Sequence, residues 1–360
     1  MDCLASACSR KMKSPKQVYS NASPENNGSI FFGRHAIDPD LVRMACGLFL
    51  VLLFLLVTLL RPPVTHSVSF PSQYNPLPAV DVETASDLVN QLKSNSLWEV
   101  APFDVVAPVV VRNFPADMPL LDVETQKRAF LHTLLPVAMI ALAEVEEERR
   151  TLESILGRMP ALPQHFSFGM KSAAKNKKLG ITQNEIYFLQ GLCAKYRTNN
   201  VSLLLRRVNL VPVSLILAQG AWESSWGGSR FALEGNNLFG VLTWGAEGMV
   251  PAGPDGAKGH KFASYASLLD GVRAYILMIN RLPAYSHLRA IREQSMDSLE
   301  LAGGLVNYSE RREEYISDIA RMIKGNQLQM FDQCVLSSRQ QPLSEMRFVS
   351  LAPELRQGMP

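Results

Sequence analysis

From Met44 to Leu60 the chain reads MACGLFLVLLFLLVTLL, seventeen residues without a charge, with Arg43 before them and Arg61 after them. A run of that length is at the short end of what crosses a bilayer as a helix. It therefore divides the chain between two compartments before any fold is considered. A cleaved signal peptide would need small residues at the end of the run, and Arg-Pro-Pro stands there instead, so a single retained span is the expectation. Cys46 precedes most of the run, which is the wrong side for a lipoprotein.

Charge sets the direction. Arg10, Lys11, Lys13, Lys16, Arg34 and Arg43 lie before the span, whereas Arg61 stands alone after it until Lys93. The positive-inside rule keeps residues 1–43 cytoplasmic and exports the rest, so the expected location is a single-pass inner-membrane protein with a periplasmic catalytic part. From Arg61 onward the chain holds 30 Lys/Arg against 29 Asp/Glu. That balance offers nucleic acid no electrostatic attraction; a neutral polymer such as a glycan suits it better. Of the five cysteines, Cys193 and Cys334 are exported and two thiols alone leave pairing open. No C-x-x-C or His/Cys cluster points to a metal, and no cofactor is expected.

The chain divides into six stretches. Residues 1–43 are polar and read as a disordered tail. Residues 44–60 span the membrane, and residues 61–80 form an extended linker carrying Pro62, Pro63, Pro71, Pro76 and Pro78. Residues 81–210 are expected to be largely helical, with a short edge strand at most in FDVVAPVVVRNF. A helix is predicted from about Asp122 to Gly157, kinked or broken at Pro136. Lys171, Lys175, Lys177 and Lys178 mark an exposed loop, and Thr182-x-x-Glu185 forms a capping box that opens a helix to about Arg197. Residues 211–325 are the candidate core and residues 326–360 a tail.

Within that core, VPVSLILAQGAWESS is almost continuously apolar and reads as a buried central helix ended by Gly227 and Gly228. Residues 238–263 suggest two short strands around a long Gly/Pro-rich turn. Helices follow at Ser267–Arg281, Ser286–Arg292 and Arg311–Lys324. The expected fold class is α+β, mostly helical, a lysozyme-like domain with a small β-hairpin behind a single transmembrane helix.

Glu223 ends the central helix between Trp222 and Trp226. Water exclusion by the two indoles and the negative end of the helix would both raise its pKa. A carboxylic acid still protonated near neutral pH is what protonating a glycosidic oxygen requires. The plainer alternative is a helix-end glutamate bonded to a backbone NH or to Arg230.

The segment A-Q-x-x-x-E-S-x-W-G-x-S at Ala218–Ser229, followed by N-L-F-G at Asn237–Gly240, resembles the bacterial glucosaminidase-domain family, glycoside hydrolase family 73, which includes wall autolysins and flagellar peptidoglycan hydrolases. LPAYSHL around Tyr285 and the tyrosine-rich LVNYSERREEYISDI are similar to later parts of that family. The amino-terminal anchor and the W-x-x-E-G-M-V-P stretch are most similar to its membrane-associated Bax branch. The resemblance covers about residues 120–325.

The resemblance implies a peptidoglycan hydrolase cleaving the β-1,4 bond after N-acetylglucosamine, with glycan strands as its partner. It makes Glu223 the general acid and Tyr308 a cleft residue that positions the sugar or water. Trp226, Asn237 and Phe239 would shape the cleft floor, joined by Tyr285 and Trp222, although core packing and turn formation explain such residues equally well. Many family members carry a second Glu in the hairpin. Here residues 250–263 contain none, which leaves Asp255, the earlier Glu247, or assistance from the sugar's own N-acetyl group. A lytic transglycosylase, which needs no second carboxylate, and an inactive glycan-binding scaffold are the alternatives. Wall cleavage calls for control, but no residue identifies a regulatory partner.

Overall fold

The computed structural model describes residues 79–159, 161–168, 180–243, 248–251 and 261–337. The span at 44–60, the proline-rich linker as far as residue 78, the four lysines of 171–178, Glu247, Asp255 and the tail after residue 337 lie outside the described residues.

Helix α1 (Ala85–Ser94) starts where Thr84 and Asp87 satisfy each other's backbone NH groups in a capping box. A two-residue strand, β1 (Val105–Val106), precedes α2 (Val123–Gly157), which Asp122 caps through the Thr125 NH. Helix α3 (Gln183–Tyr196) opens at the expected box, with Thr182 accepting from the Glu185 NH and Glu185 accepting from the Thr182 NH at 2.8 Å. Helices α4 (Val201–Arg207), α5 (Val213–Ser224) and α6 (Arg230–Gly235) follow. Strands β2 (Leu242–Thr243) and β3 (Lys261–Phe262) then pair antiparallel, Leu242 opposite Phe262, as the alternation of 238–263 suggested. The chain finishes through α7 (Leu268–Arg281), α8 (Ser286–Arg292), α9 (Ser298–Ala302), α10 (Glu313–Gly325) and β4 (Val335–Leu336). β4 lies parallel to β1, Val105 opposite Val335, a pairing that sequence patterns did not announce.

The expected interruption at Pro136 does not occur: α2 runs through it for 35 residues. Proline removes one backbone hydrogen bond, but Leu134, Leu135, Val137, Ala138 and Ile140 around it are fully buried, and their packing holds the helix. α2 is also long and apolar enough to cross a membrane, yet 83% of its apolar window is buried within the protein. It is the core helix of a folded domain. α5 and α7 both pack on it, and α10 packs on the other side of α5. Gly220 permits the close approach of α5, since a Cβ there would stand 2.9 Å from Leu134 Cδ2. A second, smaller cluster joins Leu152, Ile155 and Leu156 at the end of α2 to α3 and α4.

One contact fixes α5 from a distance. Its N-cap is Pro212, which has no side-chain group to satisfy the first turn. Asp332 supplies that group, accepting from the Ser214 NH at 2.8 Å and from the Ser214 hydroxyl at 2.6 Å. Cys193 and Cys334 are both free thiols, and burial pushes Cys193 up to about 12.

Candidate active site

Helix α5 is buried from Val213 to Ala221 and releases Glu223 at its penultimate position. The chain then turns through three consecutive left-handed residues, Ser225 (φ 52°), Trp226 (φ 58°) and Gly227 (φ 79°). Such a run is unfavourable for residues with a side chain, so it persists only where it is over-determined. Ser224 provides the determination. Its hydroxyl donates to Gly220 O at 2.5 Å and accepts from the Gly227 NH at 2.8 Å, while its carbonyl accepts from the Ser229 NH. The Glu-Ser pair thus couples an acid to the clasp that ends its helix.

Glu223 is half-buried, and the titrating groups set against it are tyrosines from three other parts of the fold: Tyr275 on α7, Tyr285 before α8, Tyr308 before α10 and Tyr315 on α10. Desolvation raises the Glu223 pKa, opposed by a hydrogen bond from the Tyr315 hydroxyl. Burial pushes Tyr285 up to about 12, with the Glu223 charge adding to it. Tyr308 and Tyr315 are likewise raised well above the phenol range, by burial first. These tyrosines are hydroxyl donors, with no tendency to ionise beside the carboxyl. Arg230 does not neutralise Glu223: it faces Glu234 at 3.5 Å and donates to Val250 O at 2.7 Å.

The tyrosines hold one another. Tyr308 and Tyr315 stack at 5.3 Å and 3°, and Tyr285 tilts against Tyr308 at 5.9 Å. The Tyr308 hydroxyl donates to Phe239 O at 2.7 Å, which ties the N-L-F-G loop to the cluster. Phe239 itself is buried and stacks on Tyr275 at 4.1 Å, a core position. Gly240 (φ 64°) then borders the acid: a Cβ there would be 3.8 Å from Glu223 Oε2. That is an ordinary contact distance, so what a side chain at 240 would cost is the strain of the left-handed backbone. Asn237 clamps the hairpin base, donating to Val241 O and Ala263 O at 2.9 Å each and accepting from the Val241 NH at 3.0 Å.

The two tryptophans divide. Trp222 is 37% exposed and excludes little water. Trp226 packs edge-on against Phe130 of α2, with Lys127 over its ring at 5.6 Å. Apolar shielding of Glu223 therefore comes from tyrosines brought in by distant helices, where the sequence suggested its indole neighbours. The residues that sequence reasoning left unassigned are Gln219, Ser224, Tyr275 and Tyr315. Gln219 and Ser224 lay in the conspicuous A-Q-x-x-x-E-S segment and Tyr315 in the tyrosine-rich one. Tyr275 had no local signal. Among the described residues no group of His, Cys, Asp and Glu is arranged to hold a metal.

Residues 199–328 match the glucosaminidase family model, described as mannosyl-glycoprotein endo-beta-N-acetylglucosaminidase. Over 244 residues the chain is 28% identical to protein bax of Escherichia coli (strain K12), covering 66% of this chain and 77% of that protein. Among solved structures it is similar to a C-terminally truncated glycoside hydrolase domain from Salmonella typhimurium FlgJ, at 24% identity over 39% of this chain and 97% of that one, with a TM-score of 0.26. Glu223 and all four tyrosines lie inside the segment, residues 199–328, that matches the glucosaminidase family model.

Proposed function

We propose that this chain is an endo-β-N-acetylglucosaminidase of the bacterial wall, cleaving the β-1,4 bond after N-acetylglucosamine in peptidoglycan. The observation that carries the reading is Glu223: a half-buried carboxyl raised by desolvation, lined by tyrosines, at the end of a buried helix. Glu223 donates its proton to the glycosidic oxygen, and the neutral tyrosine wall keeps that proton in place until substrate arrives. Trp222, adjacent and exposed, offers a ring face to a pyranose. Tyr285, Tyr308 and Tyr315 form the wall with Phe239 behind them in the core, while Asn237 and Trp226 hold the loops on either side. Asp255 or Glu247, or the N-acetyl group of the sugar, assists the developing oxocarbenium ion.

The span at 44–60 anchors the domain to the inner membrane, with residues 1–43 cytoplasmic and the linker of 61–80 holding the catalytic part in the periplasm. The catalytic core is residues 211–325.

The test is digestion of purified sacculi by the full chain, with products identified by mass spectrometry. Ends in reducing N-acetylglucosamine, lost in Glu223→Gln, are expected. Anhydro-muramyl ends would make the chain a lytic transglycosylase instead, and binding without release would make it a scaffold.

A further inference from the structure

Between Glu223 and the core lies a chain of hydrogen bonds that the reaction outlined above does not use. The Tyr275 hydroxyl donates to Gln219 Oε1. Gln219 Nε2 donates to the Tyr315 oxygen at 2.9 Å. Tyr315 in turn stands against Glu223, the acceptor within reach of its own proton. Gln219 and Tyr275 are completely buried and Tyr315 nearly so.

The direction of this chain follows from proton inventory. A phenol carries one proton and an amide NH2 only donates. Tyr275 sits against Phe239 in the core, and among the described residues the partner of its hydroxyl is Gln219, so its proton must go to the amide oxygen. That choice turns the amide NH2 toward Tyr315. Because Gln219 already donates there, the Tyr315 proton is directed onward to Glu223. A Glu223 oxygen that accepts from Tyr315 cannot point its own proton along the same line. The acid proton is left on the other oxygen.

Resting on the reading of Glu223 as the proton donor, we propose that Gln219, locked by Tyr275, is a positioning residue that sets the orientation of the Tyr315 hydroxyl and so confines the acidic proton of Glu223 to its free oxygen. Were the amide reversed, Tyr315 would donate to Gln219 and Glu223 would spend its proton on Tyr315, away from any glycosidic oxygen. Buried donors in series also polarise one another, which strengthens the preference.

Two variants test this in the full chain. Tyr275→Phe keeps the ring and removes the lock; Gln219→Met keeps the length and removes the donor. Either change permits an arrangement in which protonated Glu223 donates to Tyr315, an arrangement that only the acid form can make. The Glu223 titration, followed by the carboxyl carbon signal of chain labelled at glutamate Cδ and identified through Glu223→Gln, is expected to move upward in both. The groups facing Glu223 during that titration are Tyr275, Tyr285, Tyr308 and Tyr315. On sacculi, kcat is expected to fall about tenfold for Gln219→Met, the worth of one hydrogen bond, and less for Tyr275→Phe, with KM unchanged.

A Glu223 titration identical to wild type in both folded variants overturns the proposal. If Gln219→Met does not fold, Tyr275→Phe decides alone. The two readings separate cleanly. Titrations that shift in the variants, together with a wild type that releases no sugar ends, would sink the hydrolase and keep the proton placement. Full hydrolysis that depends on Glu223 with an unmoved titration would do the reverse.

Discussion

Two of the places where the described residues shelter charge-bearing groups are treated oppositely. Around Glu223 one carboxyl meets neutral hydroxyls, and its pKa rises because the surroundings favour the acid form. Some distance along the chain, Arg289 and Arg292 on α8 are each only 4% exposed. Their pKa values fall, Arg292 to about 9 and Arg289 to about 10, through burial first and neighbouring arginines second. Both nevertheless remain cations at neutral pH, because backbone carbonyls receive them. Arg292 donates to Arg206 O, Leu210 O, Asn209 O and Asn280 Oδ1, and Arg289 donates to Ile279 O and Leu282 O. These carbonyls belong largely to the ends of α4 and α7 and to the loop after α4, where helix termini leave acceptors unpaired. A guanidinium with its acceptors filled is architecture. A carboxyl with one donor and a mobile proton is chemistry.

The largest effect should come from breaking the chemical half. Glu223→Gln is expected to lower kcat on sacculi by about 10²–10⁴-fold, the usual worth of a general acid. The same change has a thermodynamic signature of known sign. The folded-state pKa of Glu223 lies above its ordinary value of 4.5. Its contribution to stability is therefore complete below 4.5 and is lost as pH rises through the folded value. Thermal melts should show Glu223→Gln more stable than wild type at pH 8, with the gap closing towards pH 4.

Next comes the architectural half. Arg292→Met leaves several buried carbonyls unmet and should cost on the order of 3 kcal/mol in denaturant unfolding, with the alkaline limb of activity unmoved. Asp332→Ala uncaps α5 and should cost about 1–2 kcal/mol, also by denaturant titration. Smallest of all, Arg230→Ala should change stability by less than about 0.5 kcal/mol and leave the pH–rate profile in place, because this exposed arginine pairs away from Glu223. A profile that moved with Arg230 would return the acid to the ion pair considered at the outset.

What the sequence disclosed and what it withheld follow one physical line. Glu223 could be placed at the end of a buried helix because apolar continuity over 213–221 and the glycines at 227 and 228 are local signals. The Thr182 capping box and the β2–β3 hairpin were readable for the same reason. The tyrosine wall was not, since Gln219 meets Tyr275 and Tyr315 across 56 and 96 residues of chain. Composition carries no record of such separations. Trp222 and Trp226 misled by proximity: four positions apart they would share a face of a continuous helix, but the helix ends at Ser224 and the left-handed turn separates them, so one faces solvent while the other packs on α2. Pro136 misled because the penalty of a lost backbone bond is local, whereas the burial that outweighs it is not.

The Asp332 contact changes what counts as one unit. The segment carrying the glucosaminidase match ends at residue 328, yet the helix that presents Glu223 begins on a carboxylate four positions beyond it. The long helix that α5 and α7 pack against lies wholly before the segment. Chemistry and support therefore have different boundaries along the chain. A transplant of residues 199–328 into another protein would carry every tyrosine of the wall and still arrive without the first turn of its own acid-bearing helix secured.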